Sequence, residues 1–142
     1  MNNPSIQFNF LESISLTNRG RLKRFLVALF QKEKKPLTEL QYIFCSDPYL
    51  LDINRQFLHH DFYTDIITFD LADKGQPIQG EIYISVDRVR DNAGTFGSTI
   101  SRELHRVIFH GALHLCGYQD KTENEQKKMR KMEEQALLSY FR

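Results

Sequence analysis

The segment HGALHLCGYQD, residues 110–120, constrains the fold of this chain more than any other stretch. It places His110 and His114 four residues apart, and this spacing on an α-helix puts both imidazoles on one face. Gly117 follows where a helix commonly ends in a left-handed turn, which glycine tolerates best. The chain can then turn back and bring Asp120 close to both histidines. The segment therefore predicts a helix end and a turn near the C-terminus, with three side chains that can share one ion.

Two imidazole nitrogens and a carboxylate oxygen form a ligand set that zinc accepts, and catalytic zinc sites commonly leave the fourth position to water. We therefore predict one Zn²⁺ ion held by His110, His114 and Asp120. A histidine pair at this spacing also occurs on helices that bind no metal, so the pair alone leaves both interpretations open. Cys116 and His105 lie about 200° and about 900° around the helix from His114 and face away from it. We expect Cys116 to be a small buried apolar residue and His105 to lie at the surface or the core edge.

The spacing H-x3-H-x2-G-x2-D resembles the zinc-binding helix and turn of the metzincin proteases. Those enzymes carry a glutamate as general base beside the first histidine, and Gly111 stands at that position here. Zinc-bound water can ionise near neutral pH without that base, whereas peptide hydrolysis loses its usual route for delivering a proton to the leaving amine. A metallopeptidase-like hydrolase is therefore a second hypothesis, and Gly111 argues against it.

The composition of the whole chain limits its class. Its 142 residues, 41% of them hydrophobic, suffice for one core, so we predict a single domain spanning residues 1–142. The sequence contains no apolar run of about 18 residues, and its polar start lacks the sections of a secretory signal. Two widely separated cysteines favour reduced thiols. These features predict a soluble, cytoplasmic protein without membrane contact.

Residues 19–35 concentrate positive charge, with seven arginines and lysines against the single acidic residue Glu33. One helix face there is expected to be basic. Such a face is either an ordinary solvated surface or a contact for a polyanion. Charge alone leaves both interpretations open.

Hydrophobic periodicity and cap residues predict an α+β fold with about four strands in a mixed sheet and helices packed on it. The strands at 66–71 and 80–86 flank a polar loop and can form a hairpin. The expected strands are 5–10, 39–45, 66–71 and 80–86. The expected helices run from a cap at Thr17 or Asn18 to Pro36, from a cap at Ser46 or Asp47 through Phe57, over 87–96, over 100–116, and from a cap at Thr122 over 123–140.

Three segments resemble one known family. HGALHLCGYQD is similar to the H-G-x-L-H-L-x-G-Y-x-H signature of the YbeY family of ribosomal RNA maturation factors, which are metal-dependent endoribonucleases. DFYTDIITFD, residues 61–70, resembles the family's stretch around T-D-V-L-S-F. GEIYISVDRVRDNA, residues 80–93, resembles the family's G-D-I-x-I-S strand and the helix after it. With the order of elements, the resemblance extends from about residue 40 to residue 130.

The resemblance implies a zinc-dependent endoribonuclease that acts on single-stranded ribosomal RNA during its maturation and in ribosome quality control. It also implies the small ribosomal subunit and its proteins as partners. The family's first two metal ligands fall on His110 and His114, and its third, a histidine, falls on Asp120. The strand after Asp65 would line the substrate groove, with Thr64 or Asp65 near the metal, so Asp65 is a candidate catalytic residue. The same segment is also what an ordinary buried strand after a turn would look like.

One departure from the family affects how phosphate is held. Leu58, after Phe57, stands where many members carry an arginine that serves the active site. Arg55, Arg102 and Arg106 are candidates to replace it, and the last two precede the first histidine ligand in steps of four residues. Each of the three is also consistent with an ordinary surface arginine.

Two points stay open at the level of sequence. His59 and His60 are either loop residues or proton shuttles near the groove. A third hypothesis for the whole chain is a non-catalytic ribosome assembly factor, in which a structural metal only ties the last helix to the domain.

Overall fold

A computed structural model describes residues 3–142 of the chain. Within that range the chain forms β1 (Ser5–Phe10), α1 (Arg19–Lys32), β2 (Leu37–Cys45), α2 (Asp47–Leu58), β3 (Ile66–Asp70), β4 (Ile78–Ser85), α3 (Val86–Thr95), α4 (Ile100–Leu115) and α5 (Glu123–Tyr140). The predicted α+β fold is therefore confirmed. None of the helices in residues 3–142 is both long and apolar enough to cross a membrane.

The four strands form one mixed sheet in the order β1-β2-β4-β3. β1 pairs with β2 and β2 pairs with β4 in parallel, so helices are needed to carry the chain back between them. β3 pairs with β4 antiparallel, from Ile66 opposite Ile84 to Asp70 opposite Gly80. The predicted hairpin is thus present, and β3 lies at the edge of the sheet.

The two faces of the sheet carry separate apolar clusters, because successive side chains of a strand point to opposite faces. Ile82 and Ile84 of β4 belong to the main core together with residues of α1, α4 and α5. Cys45, Leu50 and Ile67 form a smaller cluster on the other face, under α2. The predicted packing of helices on the sheet is therefore confirmed, and α2 covers the second face.

The ends of α1 differ from the prediction. Asn18 occupies the N-cap position but has a left-handed backbone, and within residues 3–142 its side chain makes no cap hydrogen bond. The helix ends at Lys32, before Pro36, and Lys34 turns the chain with a φ of 58°. The proline therefore lies after the turn and does not itself end the helix.

The other predicted caps are confirmed. The Ser46 hydroxyl accepts a hydrogen bond from the backbone N–H of Tyr49 at the start of α2. Thr122 and Glu125 form a reciprocal capping box at the start of α5. The strand predicted over 80–86 is displaced, since β4 begins at Ile78 and ends where Ser85 caps α3.

Candidate metal centre

Helix α4 and the turn after it carry the predicted ligands. α4 ends at Leu115, and Gly117 then has a φ of 108°, in the left-handed region that favours glycine. The backbone N–H of Tyr118 donates to the carbonyl of Leu113 at 3.1 Å, which closes the helix end with the bond expected of a glycine turn. The chain reverses there and brings Asp120 back to the face of α4 that carries the histidines.

The structure brings together the three side chains that the motif predicted. The rings of His110 and His114 lie 4.7 Å apart between centroids and nearly perpendicular, at 83°. The Oδ2 atom of Asp120 lies 3.1 Å from Nε2 of His114 and 3.4 Å from Nε2 of His110. One ligand atom from each residue lies within 4.8 Å of the other two. The group is half-buried, and the Asp120 side chain, 39% exposed, leaves it open to solvent.

The donor set fits a small cation. Two ligands of a tetrahedral ion with bonds of about 2.1 Å lie about 3.4 Å apart. The two distances from the Asp120 oxygen to the histidine nitrogens, 3.1 and 3.4 Å, match that separation. His110, His114 and Asp120 could therefore hold one small ion.

Gly111 lies where α4 comes closest to the sheet. A Cβ atom at this position would lie 3.0 Å from methyl or methylene carbons of Ile66 and Ile82, closer than such carbons normally approach. A side chain at position 111 would therefore point at β3 and β4. Glycine is needed here for close packing of the helix on the sheet, and a glutamate at this position would be driven between two strands.

A buried glutamate supports the first histidine. The Nδ1 atom of His110 lies 2.5 Å from Oε2 of Glu133, a residue of α5 whose side chain is only 6% exposed. Burial raises the pKa of Glu133, but the hydrogen bonds and charges of His110 and Arg106 outweigh it, so the pKa of that carboxyl lies below its usual value. The carboxylate is therefore ionised at neutral pH and can accept a hydrogen bond from an N–H at Nδ1 of His110.

Arg106 connects this glutamate to a second buried carboxylate. Its Nε and Nη2 atoms donate to the two oxygens of Glu103 at 2.9 and 2.6 Å, and its Nη1 atom donates to Oε1 of Glu133 at 3.0 Å. The hydrogen bond to Glu103 is the main reason why the pKa of Arg106 is raised. We call Glu103, Arg106 and Glu133 the α4–α5 network. Its arginine, a candidate for holding phosphate, already binds two carboxylates of its own chain.

Asp65 and Arg102 lie beside this network, whereas Arg55 does not contact it. The carboxylate of Asp65 lies 4.0 Å from Nη2 of Arg106, and burial raises the pKa of Asp65. Arg102, one turn before Arg106, pairs with Glu134 at 3.2 Å and is exposed. Arg55 is also exposed and pairs with Asp61 at 2.5 Å. Asp65 therefore lies beside the network, whereas Arg55 belongs to the surface of α2 and the loop after it.

The loop between α2 and β3, residues 59–65, presents aromatic rings to solvent. The Phe62 and Tyr63 side chains are exposed, at 56% and 59% of their residue surface. His60 stacks on Phe62 with centroids 5.0 Å apart. The buried Asn54 side chain donates to the Phe62 carbonyl at 2.9 Å and anchors the loop. The loop thus presents exposed aromatic rings on an anchored backbone, and Tyr63 lies two residues before Asp65.

Comparison with known proteins identifies the family of this chain. Residues 10–140 match the family model described as "Endoribonuclease YbeY". A protein of that name from Cytophaga hutchinsonii is 52% identical over 122 residues, which cover 86% of this chain and 85% of the relative. Another of that name, from Flavobacterium johnsoniae, is 42% identical over 95% of this chain and 96% of the relative. The chain belongs to the YbeY family.

A solved structure supports the fold. The solution structure of the protein TM1509 from Thermotoga maritima superposes with a TM-score of 0.61 at 27% sequence identity. The alignment covers 96% of this chain and 89% of that protein. The arrangement of strands and helices described above is therefore shared with an experimentally determined structure.

Leu58, where the sequence predicts a departure from the family's arginine, is the last residue of α2 and is 38% exposed, beside the exposed Phe57. The adjacent His59 adopts a left-handed conformation, with a φ of 55°, and ends the helix. An apolar side chain offers no charge to a phosphate, so the departure and its consequence for phosphate binding stay predictions.

The interpretations of Cys116 and His105 are confirmed. Cys116 is a buried free cysteine, and burial raises the pKa of its thiol to about 12. His105 is also buried, so of the two expected places it takes the core edge. Its ring stacks against Tyr140 with centroids 5.3 Å apart, and burial lowers its pKa. Neither residue belongs to the donor group of this YbeY family member.

Sequence reasoning missed Glu103 and Glu133, although the sequence contains a signal for one of them. Met129, Glu133 and Leu137 recur at helical spacing and all lie buried along α5. A charged residue on an apolar helical stripe is rarely buried without a partner. Nothing in the sequence identifies that partner as His110, 23 residues earlier.

Proposed function

We propose that this chain is a zinc-dependent endoribonuclease that cleaves single-stranded ribosomal RNA during its maturation and contributes to ribosome quality control. It acts in the cytoplasm, as one domain spanning residues 1–142, on RNA of the small ribosomal subunit and beside that subunit's proteins. The convergence of His110, His114 and Asp120 in a half-buried, solvent-facing group carries the proposal. Membership of a family whose described relatives are endoribonucleases supports the RNA substrate.

The donor atoms define the chemistry at the site. Bound zinc supplies a Lewis acid that polarises a phosphoryl oxygen and lowers the pKa of a bound water. His110, His114 and Asp120 hold the ion. Asp65 is the candidate for moving a proton, because burial raises the pKa of its carboxyl toward the range in which a group both gives and takes protons.

The exposed side chains around the site determine which RNA fits. Phe62 and Tyr63 offer ring faces on which unpaired bases can stack, and this favours single-stranded RNA over a duplex. Arg102 is the better candidate for a phosphate contact, since its exposed pair with Glu134 is weak. Arg106 is instead committed to Glu103 and Glu133 and acts through them.

A metallopeptidase is disfavoured by the position of Gly111. The general base of such enzymes would have to project from this residue toward the metal. The Cβ direction at Gly111 instead leads into Ile66 and Ile82 of the sheet. We expect a Gly111→Glu variant to lose stability and to gain no peptidase activity.

A purely structural metal is disfavoured by how α5 is attached. All three donors lie on α4 or on the turn after it. α5 packs on the domain through buried residues of its own, among them Met129, Leu137 and Tyr140. These buried contacts attach α5 to the domain without the ion. A metal whose only role is to attach α5 would therefore add little to the stability of the fold.

The test compares zinc content and RNA cleavage in the same preparations. We expect near-stoichiometric zinc by elemental mass spectrometry and cleavage of an unstructured RNA oligonucleotide in the wild-type protein. His114→Ala should lose the zinc and lower cleavage by more than about a hundredfold, the upper end of the loss seen for residues that only support a ligand. Lys74→Ala is the control, because it removes an exposed side chain from the loop between β3 and β4, which carries no candidate site residue.

Circular dichroism confirms that each variant is folded. Cleavage that survives in a folded, zinc-free His114→Ala protein would favour the assembly-factor hypothesis. Wild-type protein that binds no zinc would contradict the proposed ligand set.

A further inference from the structure

Glu133 uses both of its carboxylate oxygens inside the protein. Oε2 lies 2.5 Å from Nδ1 of His110, and Oε1 accepts from Nη1 of Arg106 at 3.0 Å. The side chain is 6% exposed, and the guanidinium of Arg106 balances the charge of its carboxylate, so it is an ionised acceptor in a fixed position. A buried carboxylate with two partners is costly to place unless both bonds are made. Its geometry is therefore set by contacts within α4 and α5.

We propose that Glu133 is a positioning residue that holds His110 in the tautomer that can bind a metal. An ionised carboxylate at Nδ1 requires the proton on Nδ1, which leaves the lone pair on Nε2. Nε2 is the atom that faces Asp120, at 3.4 Å. The inference rests on the proposed metal site but is independent of whether RNA is the substrate.

The second histidine lacks such support. Within residues 3–142, Asp120 is the only carboxylate within 4.0 Å of a ring nitrogen of His114, and it lies on the Nε2 side at 3.1 Å. Among the described residues no side chain hydrogen bonds to Nδ1 of that ring, and the hydrogen bond with Asp120 favours the proton on Nε2 instead. The two ligands therefore differ, because His110 is set in advance for the ion and His114 is not.

Arg106 and Glu103 hold Glu133 in place. The guanidinium binds Glu103 with two hydrogen bonds, at 2.6 and 2.9 Å, and this fixes the direction of its remaining donor toward Glu133. The α4–α5 network contains one positive and two negative charges, so it carries a net negative charge beside His110. A cation at the donor group is favoured by that charge. The network thus acts on the ion through orientation and through its field.

The first test needs no variant. Nitrogen-15 NMR of the histidine rings in the metal-free protein, above the usual pKa of histidine, reports which nitrogen carries the proton. We expect the proton of His110 on Nδ1 and that of His114 on Nε2, where Asp120 can accept it at 3.1 Å. A proton on Nε2 of His110 would overturn the proposal.

The second test measures zinc affinity by competition with a chelator. Glu133→Gln keeps the shape of the side chain but lets either tautomer form a hydrogen bond, and we expect affinity to fall about 10- to 100-fold. Glu134→Gln removes an exposed carboxylate from the next position of α5 and should leave affinity unchanged. Equal affinities in the two variants would contradict the positioning role. If both tests succeed while the wild-type protein cleaves no RNA, the positioning role stands and the proposed substrate is wrong.

Discussion

The two regions that border the candidate metal centre are built in opposite ways. On one side, the α4–α5 network of Glu103, Arg106 and Glu133 is largely buried and joined by hydrogen bonds of 2.6 to 3.0 Å. On the other side, the loop 59–65 exposes the rings of Phe62 and Tyr63 to solvent. The loop has its own anchor, because Asn54 holds the Phe62 carbonyl at 2.9 Å. Its backbone is therefore fixed while its aromatic faces stay free.

This difference separates two tasks. Groups that orient a metal ligand must keep one geometry, and burial with complete hydrogen bonding provides it. Groups that contact a large polymer must be accessible before the polymer arrives, so their apolar faces stay exposed until it covers them. The network side is accordingly expected to control stability and metal binding, and the loop side to control RNA binding.

The largest expected effect concerns stability on the network side. Arg106→Met keeps the apolar stem but leaves two buried carboxylates without their cation, which should lower the free energy of unfolding by about 3 to 5 kcal/mol. Arg102→Met, one turn earlier in α4, removes only an exposed ion pair and should cost about 0.2 to 1 kcal/mol. Urea denaturation of the metal-free proteins measures both. If the free energy of unfolding falls by similar amounts in the two variants, the buried network contributes no more to stability than the exposed ion pair of α4.

A smaller effect, on RNA binding alone, is expected on the loop side. Phe62→Ala and Tyr63→Ala should each weaken binding of a single-stranded oligonucleotide by about 1 to 3 kcal/mol if each ring stacks on one base. Their folding stability should change by less than about 0.5 kcal/mol, as for other surface substitutions. Fluorescence anisotropy with a chelator present measures binding without cleavage. Leu138→Ala, an equally exposed apolar residue on α5, is the control, and an equal loss there would refute a specific stacking surface.

The smallest effect is expected where α4 meets the sheet behind the network. Gly111→Ala gains about 0.5 to 1 kcal/mol of helix stability but meets Ile66 and Ile82 at 3.0 Å, and overpacking of that kind costs about 1 to 3 kcal/mol. We expect the free energy of unfolding to fall by about 1 kcal/mol, as measured by thermal or urea denaturation. Gly94→Ala in α3 is the opposite control, because among the described residues nothing lies within 4 Å of its new Cβ, and it should stabilise the fold. A stabilised Gly111→Ala protein would show that the sheet yields easily at this point.

Sequence reasoning succeeded where the interactions are local. The capping box of Thr122 and Glu125 and the glycine turn at Gly117 involve residues within a few positions of one another, so spacing reveals them. The convergence of His110, His114 and Asp120 is local in the same sense, since all three lie within 11 residues along the chain. Element boundaries were less accurate, as the early end of α1 shows, because the turn at Lys34 has no strong sequence signal.

The sequence by itself determined that two imidazoles and a carboxylate share one face of a helix end, since helical periodicity and a glycine turn place them without any help from the rest of the chain. Only the tertiary structure decided that Gly111 serves the packing of α4 on the sheet, and that Arg106 turns inward to Glu103 and Glu133. It also decided that Glu133, from another helix, supports His110. The physical reason is that pairing between distant elements depends on which faces the core brings together, and no local pattern specifies that choice.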